Sequence, residues 1–149
     1  NLTELHMPGN IESLEPLRNL TNLHTLNIRY SSRLTKENFQ SLSLLSGLPN
    51  LQQLEAWGAN EVTDLSPIGG LTQLTSLAIN ISGGEINTPI SLAPLANLTN
   101  LQTLTLQVRV SDLSPLSALT GLQTLTLLYS ESVSDWSPVE HVPTVSKEP

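Results

Sequence analysis

Leu101-Gln102-Thr103-Leu104-Thr105-Leu106 is followed, after the short bend Gln107-Val108-Arg109-Val110-Ser111, by Asp112-Leu113-Ser114-Pro115-Leu116 and a further leucine at Leu119, and the run opens again at Leu122. Two periods lie within this stretch. Leu104 and Leu106 alternate with Thr103 and Thr105, the pattern of a strand with one buried face. Leu113, Leu116 and Leu119 recur every three residues, which suits a short 3₁₀ or helical turn better than a second strand. The strand returns only one coil later, too far along for a hairpin, so neighbouring strands must be parallel.

The same reading extends over the chain. Runs of Leu-x-x-Leu-x-apolar open at Leu2, Leu23, Leu51, Leu74, Leu101 and Leu122, spaced by 21, 28, 23, 27 and 21 residues. Their second and third apolar positions are Leu5 and Met7, Leu26 and Ile28, Leu54 and Ala56, Leu77 and Ile79, Leu104 and Leu106, and Leu125 and Leu127. The turn signature recurs at Leu14-Glu15-Pro16-Leu17, Asp64-Leu65-Ser66-Pro67-Ile68 and Asp135-Trp136-Ser137-Pro138-Val139. No coil of strand, bend and turn can bury its leucines alone, so stability comes from interfaces between neighbouring coils around one leucine column. Strands pack closer together than the turns behind them, and the stack is expected to curve with its sheet concave.

Composition agrees. Of 149 residues 31 are leucine, while 3% are aromatic and 13% charged. One repeated core slot explains that bias, since a mixed core needs side chains of several shapes. The leucine content and low charge exclude disorder, and no apolar run approaches the roughly 20 residues that span a bilayer. Net charge is -7 with only six Lys and Arg, scattered at Arg18, Arg29, Arg33, Lys36, Arg109 and Lys147. Nucleic acid and anionic membrane surfaces are therefore poor partners, and with no cysteine there is neither a disulfide framework nor thiolate chemistry.

Residues Leu2 to Val142 resemble the short-repeat leucine-rich-repeat proteins typified by the bacterial internalins, whose coil reads Leu-x-x-Leu-x-Leu-x-x-Asn-x-Ile-x-Asp-Ile-x-Pro-Leu-x-x-Leu-x-x. The resemblance implies an α/β solenoid of six coils, with a curved parallel sheet on the concave face and short 3₁₀ or α turns on the convex face. Residues 1–143 would form that domain and 144–149 a C-terminal linker or tail. The family's post-strand asparagine is kept as Asn10 and, one place shifted, as Asn60, but Arg109 replaces it in the fifth copy. An incomplete ladder leaves other groups or water to satisfy the bends.

Copies two and four exceed the family's 22 residues. Thr35 is placed to cap a helix burying Phe39, Leu42 and Leu45, whereas Ser82-Gly83-Gly84-Glu85-Ile86-Asn87-Thr88-Pro89 reads as a loop. Nothing precedes the strand of Leu2, Leu5 and Met7, which predicts either preceding sequence or self-association through an uncapped first coil. Trp136 takes a leucine slot and is expected to close the last layer.

Catalytic machinery is not visible. His6, His24 and His141 show no metal-ligand spacing, and Asp64, Asp112 and Asp135 sit where a carboxylate accepts turn N–H groups. No Gly-x-Ser-x-Gly elbow or phosphate loop occurs. Four Asn-x-Ser/Thr triplets, at Asn1, Asn19, Asn80 and Asn97, are read as repeat phrases rather than glycosylation sites. The expectation is no catalytic residue, no metal and no cofactor.

Function is then expected on the outward positions of the strands, most of which are small and polar. Against that background Asn27, Arg29, Glu55 and Trp57 cluster on adjacent strands, Asn80 and Gln107 continue the row, and Tyr30 and Tyr129 stand just beyond strand ends. Trp, Tyr and Arg most often carry binding energy; the competing reading packs Trp57 under the copy-two insertion. The family resemblance implies a non-catalytic module that binds another protein, such as a host protein, or alternatively a glycan. It would belong to a secreted or surface-attached bacterial protein. An intracellular scaffold resembling a phosphatase regulator, in the cytoplasm, and a structural spacer within a larger surface protein are the alternatives.

Overall fold

The computed structural model describes residues 1–8, 13–34, 36–59, 62–81 and 88–148, and of these the side chains of 8, 30–34, 36 and 59 stand outside the description. Asn10, Thr35, Asn60 and most of the copy-four insertion, 82–87, lie outside the described residues. Within them runs one parallel sheet of seven strands in chain order. They are β1 (Glu4–Pro8), β2 (Thr25–Leu34), β3 (Gln53–Ala59), β4 (Ser76–Asn80), β5 (Thr103–Gln107), β6 (Thr124–Leu128) and β7 (Thr144–Glu148). Short 3₁₀ turns return the chain between them, at Glu15–Asn19, Ser41–Gly47, Ser66–Ile68, Ala93–Asn97, Ser114–Ala118 and Ser137–Val139.

The register follows from the leucine slots. Leu26, Leu54, Leu77, Leu104 and Leu125 are successive Cα partners, as are Ile28, Ala56, Ile79, Leu106 and Leu127. All ten are 0–1% exposed, so each coil's strand leucines lie against the next coil's in a single core. A slip of one residue would turn this whole set to solvent, which pins the pairing. On the turn side Leu17, Ile68, Leu95, Leu116 and Val139 are buried behind the sheet, each directly after a proline that presets the turn backbone.

Two elements depart from expectation. Thr144–Glu148, expected as a linker, forms β7, so seven strands stand where six coils were counted. It lacks a Leu-x-x-Leu run; its order comes from the ladder to β6, from Val145 opposite Leu125, and from Lys147. The Lys147 ammonium lies 3.6 Å from the centroid of the Trp136 ring, a cation–π contact on a half-buried indole that packs against the core. The second departure is β2, which runs to Leu34 with a register shift between Arg29 and Leu34. A bulge of this kind absorbs residues that the partner strand does not have, and it places Tyr30 within β2 rather than beyond its end.

The copy-two insertion is helical: α1 (Lys36–Gln40) passes into the 3₁₀ turn Ser41–Gly47, and Phe39, Leu42 and Leu45 are buried at i, i+3 and i+6. Three residues per turn is the 3₁₀ period, so one face of the segment meets the core. At the bends, coil-to-coil backbone bonds replace missing asparagines: Ile81 N donates to Gln107 O at 3.0 Å and Ile90 N to Arg109 O at 2.8 Å.

Each aspartate of the turn signature accepts the N–H two residues on: Ser66 N to Asp64 Oδ1 at 2.8 Å, Ser114 N to Asp112 Oδ1 at 2.8 Å and Ser137 N to Asp135 Oδ1 at 2.9 Å. Hydroxyl and backbone bonds from Ser114 hold the Asp112 carboxyl below its ordinary pKa, and backbone and hydroxyl bonds from Ser137 do the same for Asp135. A folded pKa below the unfolded one adds stability that is present above the ordinary value and lost as pH falls through the lowered one. An Asp112→Ala, Asp135→Ala variant is expected to melt below the parent protein at neutral pH, with the gap closing as pH drops below about 3.9. A gap that stays constant in acid would exclude this role.

Candidate functional site

Side chains alternate along a strand, so inward leucines oblige the residues between them to face out. Register then sets the rows. Asn27 pairs with Glu55, and Arg29, Trp57, Asn80, Gln107 and Leu128 follow one another across β2 to β6. Six of the eight residues singled out from sequence therefore share one face. Tyr129 follows β6 directly, and the side chain of Tyr30 lies outside the described residues.

At the β2–β3 end, Glu55 organises the cluster. Its Oε2 accepts from Asn27 Nδ2 at 2.6 Å and from Arg29 Nη2 at 3.2 Å, while the Arg29 guanidinium carbon lies 5.6 Å from the Trp57 ring centroid. Asn27 is 8% exposed, whereas the Arg29 side chain is 67% exposed. An ion pair this open adds little stability. Its effect is to hold a long cation against an indole before any partner arrives, removing part of the ordering cost of binding. Glu55→Ala is expected to strand the buried Asn27 amide, a loss of about 1–3 kcal/mol, and to lower the melting temperature by roughly 2–4 °C for each kcal/mol. Thermal melts beside Glu55→Gln, which keeps an acceptor for Asn27, check this; equal melting of both variants would sink it.

Toward β6 the row becomes an amide relay. Asn80 Nδ2 donates to Gln107 Oε1, and Gln107 Nε2 donates to Tyr129 Oη at 3.3 Å. Asn80 is 9% exposed, more enclosed than its outward strand position suggests. Tyr129 has φ of 67°, a left-handed conformation costing a residue with Cβ roughly 1–2 kcal/mol. Its N–H donates to Glu148 O at 3.0 Å, so β7 holds that backbone in place; the residue is 37% exposed. Such strain collects at functional sites. Gly58, directly after Trp57, has φ of 86°, which only glycine adopts without cost.

The histidines are engaged locally: His6 Nε2 with Glu4 Oε1 at 2.7 Å, His24 Nδ1 with Asn22 O at 2.8 Å and His141 Nε2 with Leu119 O at 2.9 Å. No three His, Asp or Glu side chains converge among the described residues. One structural device escaped the sequence reading. Asn22, Asn50 and Asn100 stand just before the leucines that open their copies; Asn50 and Asn100 each donate at 2.8 Å to a carbonyl of the preceding coil, at Thr21 and Thr72. The recurring Asn-Leu pair was its signal.

The chain shares this architecture with solved bacterial proteins. An internalin, InlF, from Listeria monocytogenes is 28% identical over 99% of this chain, with a TM-score of 0.63. Internalin C2 from the same organism is 25% identical over 97% of the chain, with a TM-score of 0.59. The fold is an internalin-like leucine-rich-repeat solenoid. The chain spans 47% of the InlF chain and 80% of the internalin C2 chain. No protein-family model and no curated protein sequence matches it.

Proposed function

We propose that this internalin-like solenoid is a non-catalytic recognition module that binds another protein on the outward face of its sheet, within a bacterial surface or secreted protein. The observation that carries the reading is the cluster of Arg29, Trp57, Glu55 and Asn27. An exposed cation is braced by a carboxylate against an aromatic ring, on a sheet made rigid by the leucine column. Arg and Trp are the residue types on which interface energy concentrates, and the brace leaves little to order on binding. The remaining outward positions are mainly small and polar, which suits complementarity around such an anchor. The likeness to internalins supports the surface setting.

The test is binding of the fluorescently labelled chain to cultured epithelial cells, with and without trypsin treatment of the cells. Saturable binding that trypsin abolishes is the expected result. Binding that survives trypsin undiminished would overturn a protein partner.

A further inference from the structure

The flank of the solenoid at the N-terminal ends of the strands carries a ladder of carboxamides with one rung missing. The residue just before each copy's opening leucine reaches back to the preceding coil. Asn22 Nδ2 donates to Asn1 Oδ1 at 3.3 Å and Asn50 Nδ2 to Thr21 O at 2.8 Å. Gln73 Nε2 donates to Leu45 O at 3.1 Å and Leu48 O at 3.2 Å, and Asn100 Nδ2 to Thr72 O at 2.8 Å. In the sixth copy this position is Gly121. Its φ lies outside the left-handed region, so the backbone does not require glycine there. A Cβ at Gly121 would stand 3.8 Å from Thr99 O, the counterpart of Thr72 O, and 3.7 Å from Leu101 O, both ordinary contacts. Neither oxygen accepts a hydrogen bond among the described residues.

An open groove of about 460 Å³ lies at this point, lined by Thr99, Asn100, Gln102, Gly121 and Gln123, all of them exposed. Two carbonyl oxygens on its wall suit a group with two or more N–H donors: a primary carboxamide, a guanidinium or an ammonium. No carboxylate lines the groove to balance a cation, and a charge taken from water without a counter-charge is costly. The rungs in the other coils show which group the slot is shaped for, a neutral carboxamide. The Gln102 side chain, which makes no hydrogen bond among the described residues, supplies a donor for that group's oxygen.

We infer that the groove at Gly121 binds the carboxamide of an Asn or Gln side chain on a peptide partner, its NH2 group donating to Thr99 O and Leu101 O in place of the missing rung. The site lies at the end of the strands opposite to Trp57, Asn80 and Gln107, so it stands or falls independently of the Arg29–Trp57 cluster.

A nitrogen-15 NMR titration of the intact chain tests it, with N-acetyl-asparagine N-methylamide as the probe. Saturable shifts centred on the Gly121 and Thr99 to Gln102 amides are expected, with a dissociation constant on the order of 1 mM for so small a ligand. The aspartate analogue, ionised at neutral pH, sets lone pairs against two carbonyl oxygens and should bind at least about tenfold more weakly. The lysine analogue, which brings an ammonium, should also bind more weakly. Gly121→Asn places the chain's own carboxamide in the slot: it should abolish the shifts and melt at or above the parent temperature, so that lost binding is not lost folding. No saturable shift at these amides, equal affinity for the aspartate analogue, tighter binding of the lysine analogue, or undiminished binding by Gly121→Asn would each overturn the inference. A Gly121→Asn chain that melts below the parent would do the same, since a carboxamide would then not fit the slot.

Discussion

Leu77→Ala should lower the unfolding free energy by about 3–5 kcal/mol, the cost of a cavity in a core that cannot collapse around it. Leu77 is 0% exposed and is paired in register with Leu54 on one side and Leu104 on the other, so its loss opens a gap shared by two coil interfaces. At roughly 2–4 °C per kcal/mol for a domain of this size, the melting temperature should fall on the order of 10 °C. Leu2→Ala supplies the comparison. Leu2 opens its copy with the same residue type but is 44% exposed, and its loss should cost less than about 0.5 kcal/mol. Equal costs at the two positions would contradict a core built as a column of coil-to-coil contacts.

That contrast shows what was legible beforehand. Leu26, Leu54, Leu77, Leu104 and Leu125 recur at fixed offsets from their repeat starts, and a period imposed by buried leucines is visible without any structure. The insertion burying Phe39, Leu42 and Leu45 was legible for the same reason. Strand β7 was not, because Thr144-Val145-Ser146-Lys147-Glu148 has one apolar residue and draws its order from the β6 ladder, a tertiary effect that overrides local pattern. The bulge in β2 is likewise a response to coil length and has no residue signature of its own.

For the candidate site, strand alternation was enough to place Asn27, Arg29, Glu55, Trp57, Asn80 and Gln107 on one face. It was silent on side-chain geometry. That Glu55 takes both Asn27 and Arg29 on one oxygen, and that Asn80 is buried while Arg29 is not, depend on rotamers and neighbours rather than on position in the repeat. The left-handed backbone of Tyr129 depends on a hydrogen bond to Glu148, nineteen residues away in sequence by the two residue numbers.

The largest functional effect is expected from Arg29→Ala combined with Trp57→Ala. Central interface residues of these types cost about 2 kcal/mol or more each when truncated. The two touch, so their losses are not additive, and the pair should weaken cell binding by on the order of 100-fold. Loss of Arg29 alone should change stability little, since its side chain is 67% exposed and Asn27 keeps its bond to Glu55, so Arg29→Ala is the arm in which weaker binding is not weaker folding. Arg18→Ala serves as the control: Arg18 lies on the 3₁₀ turn Glu15–Asn19, behind the sheet, in an exposed pair with Glu15. It should bind like the parent chain. Unchanged binding by the double variant would remove the cluster from the interface.

The most direct test of recognition by the sheet face uses the absence of cysteine from the chain. Single cysteines introduced by Thr105→Cys, outward on β5, and by Ser117→Cys, exposed on the turn Ser114–Ala118, give one reactive thiol on each side of the sheet. The measurement is the maleimide labelling rate of each variant, free and bound to cells. Slowed labelling at 105 with an unchanged rate at 117 is the predicted result; protection at 117 with none at 105 would place the interface on the turns and contradict the account.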